Sequence, residues 1–193
     1  SHGFDIAAEC WTVHEGETLL TSAKETGALL VDLSGHLSRL RPDTVLCCAD
    51  RHEVLAVAQA ASYLHIPLAH MQGGEISGSI DDRVRNAVTM LADVHFPATE
   101  AAAHRVFELH RSAMTVPAIH MVGCPSVDLA LRAQHEPPVT AQELGGAGAE
   151  IDTAQPFGVV LQHPVTSEAE DAGRQMRETL RATGHVLSPQ PWI

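Results

Sequence analysis

The stretch Ala49-Asp50-Arg51-His52-Glu53, followed by a helix-like run and then by His70-Met71-Gln72-Gly73-Gly74-Glu75-Ile76-Ser77-Gly78-Ser79-Ile80-Asp81-Asp82-Arg83-Val84-Arg85, decides the fold. Its charged and polar groups gather at the ends of apolar segments. Just upstream, Thr44-Val45-Leu46-Cys47-Cys48-Ala49 is a short continuous apolar run, the pattern of a strand covered on both faces in a parallel sheet. Val54, Leu55, Ala58 and Ala61 then recur at helical spacing and predict a helix over 51–64. Residues 66–71 read as the next strand, and Gln72-Gly73-Gly74-Glu75 as the loop that leaves it. Two adjacent glycines let the backbone take positive φ or approach a ligand closely. Open α/β sheets bind ligands outside the carboxyl ends of their strands, so this is where a site is expected.

Working outward, Ser79 and Asp82 fit a variant capping box for a helix over 80–92, with Val84, Ala87, Val88 and Leu91 on its apolar face. Asp81 and Arg85, four apart, are expected to pair on that helix. On the N-terminal side, residues 21–41 carry a leucine stripe (Leu29, Leu30, Leu33, Leu37, Leu40) ended by Pro42, and 4–12 carry a poor strand pattern. On the other side, residues 94–98 read as a strand and Thr99 as the N-cap of a helix to about residue 110, with Glu100 favouring its positive end. Residues 118–122 read as a fourth strand, and Gly123-Cys124-Pro125-Ser126 turns it into a helix through 132. The βαβαβαβα rhythm implies parallel strands and right-handed crossovers.

Residues 134–155 hold Pro137-Pro138, Gly145-Gly146 and Gly148 and read as a linker with a short helix near Ala141. Gly146-Ala147-Gly148 precedes a strand, so it is no dinucleotide fingerprint. A fresh strand over 157–162, His163 at its end, a helix over 167–183 and a further strand beginning at Val186-Leu187 complete the chain. The expected division is a Rossmann-like α/β domain over 1–133, a linker over 134–155 and the start of a second domain over 156–193.

Composition narrows the function. The 193 residues are 45% hydrophobic but only 4% aromatic, so Ala, Val and Leu must do most of the packing. Twenty-four acids against 12 bases give a net charge of −12, dispersed and without a basic cluster, which argues against nucleic acid as a partner. No apolar run reaches the ~18 residues of a membrane span, and no signal peptide is visible at the start. Cys10, Cys47, Cys48 and Cys124 form no CxxC pair, and Cys47 and Cys48 read as core residues of a buried strand. A reducing cytoplasm is expected. The 13 histidines include no i,i+4 pair, and none is expected at ligand distance from a cysteine, so no metal site is expected.

Four motifs carry a resemblance: Asp50-Arg51-x-Glu53; His70-x-Gln72-Gly73-Gly74-Glu75-x-Ser77-Gly78-x-Ile80-Asp81-Asp82-x-x-Arg85; Gly123-Cys124-Pro125-Ser126-x-Asp128; and Gln162-His163-Pro164-Val165-Thr166. In this order they resemble the hydrolysing UDP-N-acetylglucosamine 2-epimerases of sialic and nonulosonic acid synthesis. The resemblance implies the GT-B fold, two facing Rossmann-like domains with the ligand between them. Against that pattern the chain is expected to be a fragment lacking the first strand and most of the second domain.

The activity implied is elimination of UDP from UDP-N-acetylglucosamine, then hydration of the glycal to N-acetylmannosamine, with no cofactor. Such chemistry needs a base near C2, an acid near the leaving oxygen and donors for the diphosphate. By resemblance Asp50, Glu75, Asp82 and His163 are the candidate catalytic residues. Arg51, Gln72, Gly73, Gly74, Ser77, Asp81 and Arg85 are candidates for substrate contact. Gln72 stands where many members carry Glu and cannot transfer a proton, so it is expected to position the sugar. Asn86 and Met90 depart from the family's histidine and lysine. Each acid also has a plain reading: Asp50 as a helix N-cap, Glu75 as a brace for the glycine turn, Asp81 and Asp82 as first-turn acids. By analogy a homodimer or homotetramer is expected. Two other readings stay open: a non-hydrolysing epimerase of the same fold, and an inactive fragment serving as an association module.

Overall fold

The strands Val45–Cys48 (β1), Leu68–Met71 (β2), Val94–Phe96 (β3) and Ala118–Ile119 (β4) form one sheet in the order β1-β2-β3-β4. Every neighbour pairs parallel, with Cys47 opposite His70 and His70 opposite His95. These relations come from a computed structural model that describes residues 3–12, 18–113, 116–137, 143, 152 and 156–187. The α/β fold class is as the sequence predicts. The chain divides into two compact units, Ser1–Leu131 and Arg132–Ile193.

The helices of the first unit are Leu19–Leu40 (α1), His52–Tyr63 (α2), Asp81–Leu91 (α3), Glu100–Ser112 (α4) and Pro125–Ala133, which runs over its boundary (α5). Thr18 caps α1, its hydroxyl accepting from the Thr21 amide at 3.1 Å. Arg41, in the left-handed conformation, ends α1 ahead of Pro42. Thr99 caps α4 as expected, accepting from the Ala102 amide at 3.1 Å. Ala56, Ala58, Ala60 and Ala61 of α2 are buried, which lets neighbouring backbones come close with few aromatics. Cys47, Leu68, Val88 and Ala92 complete that core with Ala58 and Ala61. A fully buried Leu or Val is worth about 1.5–3 kcal/mol.

Several expectations are corrected. Coverage of β1 on both faces is not seen among the described residues, where Cys47 is buried and Leu46 is 58% exposed. Cys48 is exposed, so only Cys47 is a core thiol. Residues 4–12 form no strand. His52, at the start of α2, bonds Glu25 of α1 at 2.9 Å. No capping box forms at Ser79 and Asp82; Ile80 is the N-cap of α3, and Asp82 turns back to the preceding loop.

In the second unit, residues 156–165 are irregular apart from an isolated bridge at Gly158, not the strand expected. A strand needs a neighbouring ladder for its N–H and C=O groups, and no sheet is present among that unit's described residues. A 3-10 turn (Thr166–Asp171) leads into Ala172–Leu187 (α6), so Val186 and Leu187 end a helix and start no strand. The expected helix near Ala141 lies outside the described residues.

Candidate active site

β1 and β2 both end in a left-handed residue, Ala49 at φ 66° and Gln72 at φ 62°. Positive φ is uncommon for residues with a Cβ and collects at functional sites. The surroundings hold both turns. The Ala49 amide donates to Met71 O at 3.1 Å, and the Gln72 amide to Phe96 O at 3.0 Å. The Ala49 carbonyl lies 2.9 Å from Nε2 of His70, whose Nδ1 lies 3.2 Å from the Thr89 hydroxyl. His70 is fully buried, and burial pushes its pKa down, so the neutral ring donates to Ala49 and accepts from Thr89. It therefore fixes the turn that presents Asp50. The motif that contains His70 assigns it no task; its place inside an apolar strand is the signal.

Arg85 is the centre of the site. It projects from α3, is 5% exposed, and its Nη2 pairs with Oδ2 of Asp50. Its Nη1 reaches Oδ1 of Asp82 at 2.5 Å and the Glu75 carbonyl at 2.6 Å. One planar guanidinium thus ties the end of β1 to the loop that leaves β2, a use of the fixed fork that lysine cannot copy. The expected Asp81 pairing is replaced by Asp82, one turn back on the same helix.

Asp82 is saturated. It accepts from the Ser77 amide at 2.7 Å, the Ser77 hydroxyl at 2.9 Å and the Gly78 amide at 2.8 Å, as well as from Arg85. The Ser77 and Gly78 amides hold its carboxyl below the usual carboxylate range. Asp81 accepts from the Ser79 hydroxyl at 2.8 Å. Asp50 is less engaged: Arg85 takes Oδ2, and 21% of the side chain stays exposed. The Glu75 side chain is half-buried and borders a cleft of about 480 Å³ together with Asp82, Asn86, His104, Arg105 and Glu108. Asn86, expected only as a departure from the family pattern, is thus on the cleft wall.

The remaining residues divide by environment. Gln72 is suspended between two thiols: Cys48 Sγ lies 3.5 Å from its Oε1, and Cys124 Sγ 3.5 Å from its Nε2. Gly74, at φ 81°, lies where a Cβ would press on the Ala102 carbonyl, and Arg105 donates through Nε to the Gly74 carbonyl. A Cβ on Gly73 would come within 3.0 Å of both His70 and Thr89. Both glycines therefore serve close packing against a strand and a helix. Arg51 is exposed and bonds Glu53 at 2.7 Å. His163 is exposed in the second unit. His104 and Arg105 were missed by the sequence reading; their signal was a polar face on α4 beside a glycine loop.

A sequence model of the family described as UDP-N-acetylglucosamine 2-epimerase matches residues 2–188. The chain is 31% identical over 160 residues to a UDP-N,N'-diacetylbacillosamine 2-epimerase (hydrolyzing) of Legionella pneumophila, covering 83% of this chain. It is 31% identical over 147 residues to a UDP-N-acetylglucosamine 2-epimerase of Neisseria meningitidis, covering 74% of this chain. It spans 41% and 37% of the length of those relatives. Among solved structures, the Methanocaldococcus jannaschii UDP-GlcNAc 2-epimerase in complex with UDP-GlcNAc and UDP matches at TM-score 0.53 and 27% identity. That match covers 60% of this chain and 33% of the other. Staphylococcus aureus MnaA with UDP matches in fold at TM-score 0.66 and 18% identity, covering 89% of this chain and 46% of the other.

Proposed function

The chain belongs to the UDP-N-acetylglucosamine 2-epimerase family, and we propose that it supplies the first-domain wall of the site in a hydrolysing UDP-sugar 2-epimerase. The reaction is loss of UDP across C1–C2 of a UDP-2-acetamido sugar, then hydration of the glycal to the 2-epimeric free sugar. The observation that carries this reading is the Arg85 fork, which brings Asp50 and the Glu75–Asp82 loop to one edge of the sheet.

In this reading Asp50 and Glu75 move protons, because neither carboxylate is saturated as Asp82 is. Asp82 and Arg85 hold the loop in place. The Gln72 amide, aligned between two thiols, fixes the sugar's orientation. Ser77 and Asp81 offer polar contacts along the same loop, and the Gly73-Gly74 turn brings that loop close to the sugar. Arg51, exposed and paired with neighbouring Glu53, can re-pair with the diphosphate. His163, exposed in the second unit, is a further catalytic residue in this reading by resemblance alone. Elimination and hydration involve no net oxidation or reduction, so the reading requires no redox cofactor.

The hydrolysing branch is favoured by the Gly73-Gly74-Glu75-x-Ser77-Gly78 and Gln162-His163-Pro164-Val165-Thr166 forms and by the relative named as hydrolyzing. We assign the activity to the cytoplasm and to acylated amino-sugar synthesis, in a homo-oligomer. Incubation with UDP-N-acetylglucosamine or its diacetamido relative, followed by product chromatography, tests it. Free 2-epimeric sugar with stoichiometric UDP supports the reading. Interconverting UDP-sugars select the non-hydrolysing reaction, and no turnover selects the inactive fragment.

A further inference from the structure

Apart from the strand-end site, Cys10, Asp32 and His36 converge. Asp32 and His36 stand one turn apart on α1, with Asp32 Oδ1 3.6 Å from His36 Nε2. Cys10 comes from the irregular segment ahead of the helix, and one ligand atom from each residue lies within 4.8 Å of the other two. This corrects the expectation that no histidine has a cysteine at ligand distance. Spacing along the sequence could not reveal it, because residues 3–12 have no periodic structure to project onto α1.

We propose that Cys10, Asp32 and His36 form a binding site for a thiophilic divalent cation of the zinc class, with a fourth position open to water. A tetrahedral zinc ion with bonds of about 2.0–2.3 Å sets its ligand atoms about 3.4–3.6 Å apart. The Asp32–His36 edge already has that spacing. Closing the other edges requires a shift of no more than about 1 Å by Cys10, on a segment outside any helix or strand. A thiolate, an imidazole and a carboxylate together select zinc-like ions over magnesium or calcium, which prefer all-oxygen shells. Burial, then a hydrogen bond from the Cys10 thiol to the Asp32 carboxylate and the charge of that carboxylate, raise the Cys10 pKa; a cation bound between thiolate and carboxylate offsets that charge.

Arg39 sets the threshold for loading. Its Nη2 lies 3.1 Å from His36 Nδ1, and a guanidinium only donates, so Nδ1 accepts and the ring proton sits on Nε2, facing Asp32. Metal binding through Nε2 moves that proton to Nδ1 and displaces the exposed Arg39. The Cys10 thiol proton leaves to solvent as the thiolate–metal bond forms.

The test is titration of the reduced, metal-free protein with cobalt(II), followed by zinc competition. The expected result is a near-ultraviolet thiolate-to-cobalt charge-transfer band that zinc abolishes. Cys10→Ser should remove the band. Asp32→Asn and His36→Ala should weaken binding by at least about tenfold. Arg39→Ala should tighten it several-fold, and Cys48→Ser and Cys124→Ser should leave it unchanged. Circular dichroism of Cys10→Ser guards against misfolding. Absence of the band, or a band that survives Cys10→Ser, overturns the proposal.

Discussion

Arg85 on α3 and Asp50 at the end of β1 form an ion pair across 35 positions of sequence, and the same guanidinium holds Asp82 from its own helix. Two separate segments therefore share one buried cation. Its removal leaves two carboxylates without their common partner. Arg85→Ala should cost about 3 kcal/mol, near the lower end for a broken buried pair because both acids keep some exposure. Urea unfolding measures it. Arg85→Lys should recover only part, since one ammonium cannot span both acids. A loss under about 1 kcal/mol would mean that solvent screens the contact.

Asp50 and Asp82 share Arg85 but should differ under substitution. Asp50→Asn should lower kcat of the active enzyme by about 10²–10⁴-fold, the range for a lost proton-transfer group. Asp82→Asn should chiefly lower stability and raise KM, because it loosens the Ser77–Gly78 loop. Steady-state kinetics with parallel melts separates the two. Equal losses of kcat would refute the division of roles.

Gly74 and Gly78 share a left-handed backbone, at φ 81° and 80°, but only Gly74 lacks room for a Cβ. Gly78→Ala should cost about 1 kcal/mol of backbone strain. Gly74→Ala adds a clash with the Ala102 carbonyl and should cost roughly 3 kcal/mol or more. Matched unfolding midpoints would show that α4 moves away freely.

Stability should fall with acid before the carboxylates titrate. Burial, with His110 and His70 nearby, pushes His95 down to about 4. In the unfolded chain it protonates near 6.5, so between pH 6.5 and 4 the unfolded state binds the extra proton. That costs about 1.4 kcal/mol per pH unit, about 3 kcal/mol in all, and the contribution is complete above pH 6.5. Burial lowers His70 as well, in the same direction. Denaturation across this range should show the slope, and His95→Phe should flatten it.

The thiols should alkylate in a definite order. Backbone amides at the start of α5 lower the Cys124 pKa, whereas burial lifts Cys47 to about 11. Iodoacetamide at mildly alkaline pH should modify Cys124 first and Cys47 last, as read by peptide mass spectrometry. Because Cys124 and Cys48 flank Gln72, UDP-sugar should slow their modification; labelling of Cys47 ahead of Cys124 would contradict this geometry.

Much of this arrangement was legible before any coordinates. Apolar runs and helical spacing identified the four strands and the helices between them, because a parallel sheet gives each crossover its own periodic signature. Asp50 and the glycine loop with Glu75 could be assigned to strand ends, and Asp81, Asp82 and Arg85 to the helix that follows, for the same reason. Partner choice was not legible. Asp81 and Asp82 are both within reach of Arg85 along α3, and only the turn at Ser77 and Gly78 decides for Asp82. The exposure of Leu46 was hidden too, since the residue is apolar. Cys10 could not be referred to α1 without a three-dimensional path for the segment that carries it.

Strand order follows chain order through this sheet, from β1 to β4. Among these four described strands, none has to be threaded between two made earlier. During synthesis each new strand can dock on the one just completed, and the Arg85 clamp can close once α3 has left the ribosome. The crevice wall is thus free to mature on the nascent chain, so pausing translation after α4 should yield a protease-resistant intermediate.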